Sequence, residues 1–127
     1  MTPSILVVEH DEQVRGTLRG ELERCGYDVC EAADGNEAMT ALQTAPFDLV
    51  VSDITVPEKD GIEIMGFVRK EHPGTPVVII GESEEQLYLE SARGLGAACT
   101  FSKPVSPNEL ASAVKQLLAE RRIERST

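Results

Sequence analysis

The sequence predicts an α/β fold of the (βα)5 kind, a doubly wound parallel five-stranded sheet with helices on both faces. Three observations carry this expectation. Five short apolar runs alternate with segments of helical periodicity. Three of those runs, 5–8, 49–52 and 77–80, are continuous and rich in Val and Ile, as strands buried on both faces should be. Turn and capping residues fall between the runs, where crossovers must reverse the chain.

Taken in order, the strands read as residues 5–8, 27–31, 49–52, 77–80 and 98–101. The second alternates in polarity and reads as an edge strand. The first helix carries Val14, Leu18 and Leu22 at a spacing of four, and Gly26 stops it. Ala38, Ala41 and Leu42 mark the second helix, and Ile62, Met65 and Val68 the third. Leu87, Ser91 and Leu95 mark the fourth, which Gly96 follows. Leu110, Val114, Leu117 and Leu118 mark the fifth. Ser106-Pro107-Asn108-Glu109 is a capping box with proline at the first helical position, and Ser83-Glu84-Glu85-Gln86 reads as a second box. Residues 120–127 are polar and are expected to fray. The chain reads as one domain, 1–127, with its core at about 4–120.

Bulk properties exclude several function classes. Lys plus Arg number 12 against 22 Asp plus Glu, a formal charge of −10. Such a balance argues against direct contact with nucleic acid or with an anionic membrane surface. No run approaches the ~18 apolar residues of a membrane helix, and residues 1–8 lack the features of a secretory signal. Cys25, Cys30 and Cys99 are odd in number and lack CxxC spacing, so they predict neither a disulfide framework nor a zinc site. They are expected to be reduced thiols in or near the core of a cytoplasmic protein.

Chemistry-bearing residues gather at the carboxyl ends of the runs, where open α/β sheets place their sites. Asp53 ends Asp48-Leu49-Val50-Val51-Ser52-Asp53, Glu9 and Asp11 follow the first run, and Lys103-Pro104 follows the last. With Pro57, Asp60-Gly61 and Gly96-Ala97, these residues resemble the receiver domain of two-component response regulators, from residue 4 to about 120. The resemblance implies the flavodoxin-like strand order 2-1-3-4-5. It also implies a phosphoryl group accepted on Asp53 from a histidine kinase or a histidine phosphotransfer protein. Mg²⁺ would be held by Glu9, Asp53 and the Thr55 backbone carbonyl, and Lys103 would face the phosphoryl oxygens. Output would pass to an attached domain or a partner protein through the fourth helix, fifth strand and fifth helix, roughly residues 84–93, 98–101 and 108–121. A homodimer through that face is within the family's habits. A signalling acceptor of this kind is not an enzyme acting on a separate substrate.

Several positions depart from the family pattern. The second acid of the first strand is His10, and imidazole is a poor Mg²⁺ ligand. Asp11 either takes its place or caps the first helix. The Ser/Thr position after the fourth strand is Gly81, followed by Glu82, whose carboxylate can pair with Lys103. The switching aromatic position is Thr100, while the neighbouring Phe101 is expected on the opposite, core side of its strand. These departures keep a second reading open, an atypical pseudo-receiver that acts through partners without phosphorylation. A haloacid-dehalogenase-like phosphatase is disfavoured because Thr55 stands where its second aspartate would be. A flavin-binding flavodoxin is disfavoured because Glu9-His10-Asp11-Glu12 would repel a phosphate.

Overall fold

The computed structural model describes residues 2–126, with side chains described up to Arg121. Its elements alternate as predicted: β1 (Ser4–Val8), α1 (Glu12–Arg24), β2 (Asp28–Ala32), α2 (Gly35–Thr44), β3 (Leu49–Asp53), α3 (Gly61–Glu71), β4 (Val77–Gly81), α4 (Gln86–Gly94), β5 (Cys99–Ser102) and α5 (Pro107–Ser126). A single 3-10 turn, Ser83–Glu85, leads into α4. All strand pairs are parallel and their order is β2-β1-β3-β4-β5. The Val/Ile runs occupy the three central positions, and β2 is an edge as its alternation predicts.

Successive side chains in a strand point to opposite faces, so each central strand feeds two cores. Leu6, Val8, Val50 and Ile79 meet Ala38, Leu42, Ile64, Met65, Val68, Leu89 and Ala92 of α2, α3 and α4. Ile5, Val7, Leu49, Val51, Val78 and Ile80 meet Leu18, Leu22, Leu110, Val114 and Leu118 of α1 and α5. Full burial of a Leu or Ile such as Leu22 contributes about 1.5–3 kcal/mol, and this two-sided packing is what fixes the sheet.

The ends of the helices follow local chemistry. Asp11, Asp34 and Asp60 cap α1, α2 and α3, each accepting hydrogen bonds from first-turn amides. The Ser106 hydroxyl accepts from the Glu109 amide at 3.4 Å, at the predicted box before α5. Gly26 at φ 93° and Gly96 at φ 118° turn the chain after α1 and α4, in a region that disfavours a Cβ.

Four expectations are corrected. The box before α4 starts one residue early, because the Glu85 carboxylate accepts from the Glu82 amide at 2.8 Å, while the Ser83 hydroxyl donates to Glu84. The buried face of α4 is Leu89 and Ala92, whereas Leu87 and Leu95 are 78% and 50% exposed and Ser91 is exposed. Cys25 and Cys30 are exposed and only Cys99 is partly buried, since Cys30 lies on an outward position of edge strand β2. The polar stretch from Glu120 continues α5 to Ser126, with the Arg121 guanidinium donating to the Asp48 carbonyl at 2.5 Å. Thr127 lies outside the described residues.

The loop after β3 is packed against the strand it leaves. The Gly61 amide donates to the Ile54 carbonyl at 2.9 Å, and a Cβ on Gly61 would sit 2.5 Å from the Asp53 carbonyl oxygen. Gly61→Ala should therefore lower the unfolding free energy by about 2 kcal/mol, read as a fall in the urea midpoint. A variant as stable as the parent would show that this close approach is not enforced.

Candidate functional site

At the carboxyl edge of the sheet, β1, β3 and β5 bring Glu9, Asp53 and Lys103 together. Glu9 and Asp53 are 2% and 5% exposed, and are the two carboxylates buried among the described residues. Lys103 reaches them from the loop after β5, where its amide donates to the Gly81 carbonyl at 2.8 Å and its bond to Pro104 is cis. Its ammonium donates to Asp53 Oδ2 and lies 2.6 Å from Glu9 Oε1. One cation thus answers two carboxylates in a poorly hydrated setting, where unpaired charge is costly.

Each carboxylate is also held by backbone. Asp53 Oδ1 accepts from the Thr55 amide at 3.0 Å, and Glu9 Oε2 accepts from the Asp11 amide at 2.9 Å. Glu9 Oε1 is a buried oxygen in ion-pair contact with Lys103 but without a hydrogen bond among the described residues. Burial pushes the Glu9 carboxyl above its usual range, against the opposing pull of Lys103 and the Asp11 amide, and neighbouring Asp53 adds to the rise. Burial alone would lower the Lys103 pKa, but the hydrogen bond to Asp53 and the close negative charges of Asp53 and Glu9 outweigh it and raise the ammonium above its ordinary value.

The adjoining positions have other geometry. His10 is exposed. Asp11 spends its carboxylate on α1, with Oδ1 accepting from the Gln13 and Val14 amides at 2.9 and 3.1 Å. Arg15 holds this loop by donating to the Glu9 and His10 carbonyls at 2.8 and 3.3 Å. Glu82 is exposed, with its carboxylate 3.9 Å from the Lys103 ammonium. Thr100 pairs with Ile79, on the α4 side of the sheet, and Phe101 packs into the core on the α1 and α5 side.

Gly81 is closed over. A Cβ there would lie 3.0 Å from Ile54 Cγ2, 3.2 Å from Leu89 Cδ2 and 3.3 Å from Glu85 Oε1. The Glu85 carboxylate in turn accepts a hydrogen bond from the Thr55 hydroxyl at 2.5 Å. The sequence names Thr55 for its carbonyl and Glu85 within a capping box, but not the hydrogen bond between their side chains. The available signal is the spacing of three from Glu82 to Glu85, which places the capping carboxylate beside Gly81 once the box is set in its true register.

Hard carboxylate oxygens suit Mg²⁺, and the incompletely bonded Glu9 Oε1 beside Asp53 fits part of such a donor set. A third acidic donor is missing. Among the described residues no three His, Cys, Asp or Glu side chains form a group that could hold a metal ion.

The raised Glu9 pKa has a consequence for stability. Because the folded value lies above the ordinary one of 4.5, Glu9 favours the fold below that pH and loses this contribution as pH rises through the folded value. Against Glu9→Gln, which does not titrate, the stability of the parent should fall as pH rises above about 4.5 in paired urea titrations. A difference that does not change as pH rises from there would refute the assigned direction.

The fold recurs in known proteins. Residues 5–115 match the family model of the response regulator receiver domain. The chain is 36% identical over 123 residues to the alkaline phosphatase synthesis transcriptional regulatory protein PhoP of Bacillus subtilis, covering 97% of this chain and 51% of that protein. It is 35% identical to the transcriptional regulatory protein ResD of the same organism over 114 residues, covering 90% of this chain and 47% of that one. It therefore spans about half the length of these curated relatives. Among solved structures, the receiver domain of a Francisella response regulator superposes with a TM-score of 0.86 at 28% identity, over 94% of this chain and 98% of that one. No helix among the described residues is long and apolar enough to cross a membrane. With strand order 2-1-3-4-5 and a match over residues 5–115, the chain belongs to the response regulator receiver family.

Proposed function

We propose that the chain is a single receiver domain that takes a phosphoryl group on Asp53 from a phosphohistidine of a kinase or phosphotransfer protein. The observation that carries the reading is the Lys103 ammonium joined to two buried carboxylates at the carboxyl edge of the sheet. In the transfer, an Asp53 carboxylate oxygen forms the new O–P bond as the donor's P–N bond breaks, and the imidazole leaves. Charge that develops on the phosphoryl oxygens must be neutralised, because the nucleophile is itself an anion. Lys103 is the fixed cation for this task. Glu9, Asp53 and the Thr55 backbone carbonyl would hold Mg²⁺, which when bound supplies further neutralisation. His10 in place of an acid makes the affinity for that ion low.

Chemistry confined to acceptance and loss of the group on Asp53 makes the domain a signalling element and not an enzyme acting on other molecules. Its setting is cytoplasmic, where such donors occur. Output would run through α4, β5 and α5 to an attached domain or a partner protein. Leu87, Tyr88 and Leu95 supply exposed apolar surface on or beside α4, and a second copy of the chain could also use it. The pseudo-receiver reading keeps one specific observation in its favour. Glu82 lies 3.9 Å from Lys103, so a carboxylate already stands near the cation that a phosphoryl group would engage.

Incubation with acetyl phosphate and Mg²⁺ should add one phosphoryl group by intact mass, and Asp53→Asn should abolish it. Absence of an adduct with Mg²⁺ or Mn²⁺, and also with a cognate kinase, would sink the phosphoacceptor reading. His10→Asp should tighten Mg²⁺ binding about tenfold by calorimetric titration, as a hard oxygen donor replaces imidazole. Unchanged binding would show that His10 does not limit affinity.

A further inference from the structure

Gly81 and Glu85 together stand where the family would use a hydroxyl side chain to sense the phosphoryl group. The side-chain space at Gly81 is already bounded by Ile54, Leu89 and Glu85. Glu85 sits there with both oxygens engaged. Oε1 accepts from the Glu82 amide at 2.8 Å, and Oε2 accepts from the Thr55 hydroxyl at 2.5 Å. Thr55 in turn donates its amide to Asp53 Oδ1, and Lys103 holds Asp53 Oδ2. A continuous line of polar contacts therefore runs from the acceptor carboxylate to the residue that immediately precedes α4.

We propose that the Thr55–Glu85 hydrogen bond is a latch that holds the start of α4 to the loop after Asp53, and that an anionic group on Asp53 releases it. The release rests on the phosphoacceptor reading above, and the latch does not. Three features support the pair. Glu85 comes from the turn before α4 and Thr55 from the loop after β3, so their bond joins two segments that are not neighbours in the chain. A phosphoryl group carries roughly −1.5 to −2 charges at neutral pH and three strong acceptor oxygens. Placed on Asp53 it competes for the Lys103 ammonium and the Thr55 donors, and it repels Glu85 and Glu82. Finally, Leu87 and Tyr88 follow the latch directly and are 78% and 67% exposed, so a change at Glu85 reaches a surface fitted for contact.

Hydrogen exchange resolved by peptide separates this from a plain helix cap. Thr55→Val leaves the Glu82–Glu85 cap intact and removes only the latch, and Thr55 is exposed enough for the variant to fold. It should speed amide exchange over residues 82–90 about three- to tenfold, as expected for loss of one hydrogen bond to a charged group at a partly exposed site. Thr55→Ser, which keeps the hydroxyl, should exchange at the parent rate. Phosphorylation of the parent, verified by mass, should produce a similar acceleration over the same residues, and should add little to that of Thr55→Val. Parent-like exchange in Thr55→Val overturns the latch. A verified adduct that leaves residues 82–90 unchanged overturns the release while the phosphoacceptor reading stands. No adduct at all overturns that reading and the release with it, and the Thr55→Val comparison still decides the latch.

Discussion

The pairing of one ammonium with two buried carboxylates is the constraint on which the rest of this site depends. Glu9 and Asp53 end neighbouring strands of a sheet whose interior excludes water, and each alone would be an uncompensated charge. Removing one partner from a buried pair costs about 3–5 kcal/mol, because the charge left behind cannot be solvated. Lys103 answers both acids from the far side of β4, and the Gly81 carbonyl fixes the backbone that carries it. The sheet order makes this geometry available, since the loops after β1, β3 and β5 open onto the same edge.

Much of this was legible in the sequence for physical reasons. A parallel strand covered on both faces must be apolar throughout, so 5–8, 49–52 and 77–80 announced themselves as β1, β3 and β4. Glu9, Asp53 and Lys103 could be singled out because a charge at the end of such a run has no packing purpose. Other features were not legible. Leu87, Ser91 and Leu95 recur every four residues along and just past α4, yet that stripe is the exposed one. The small Ala92 and Leu89 do the packing, and periodicity does not say which stripe faces the sheet. The capping box before α4 slipped by one residue because Ser is ordinarily the stronger cap, while here the Glu85 carboxylate reaches back to the Glu82 amide. Its second contact, with Thr55, crosses 30 positions and no local pattern encodes it.

Departures from the family pattern form a group when seen in space. The side-chain space at Gly81 is filled by Ile54, Leu89 and Glu85, and Thr100 leaves the strand facing α4 without a bulky ring. His10 is carried outward on a loop that Arg15 ties down through two carbonyls, so a change of residue there does not disturb Glu9. The Glu9–Asp53–Lys103 end of the site thus keeps its charges, and at the end that faces α4 the Glu85 carboxylate lies beside Gly81 while Thr100 takes the place of an aromatic ring.

All strands run parallel, and this bears on when the site comes into being. No pair can form as a local hairpin, so every ladder closes across an intervening helix, and such non-local topologies fold more slowly than local ones. Lys103 and Asp53 lie 50 positions apart, and Lys103 is carried by the segment that follows the last strand. A chain emerging from synthesis has Glu9 and Asp53 long before it has the cation that lets them be buried together. Completion of the sheet and assembly of the Glu9–Asp53–Lys103 cluster are therefore one event, and a nascent or partly unfolded chain has no such pocket.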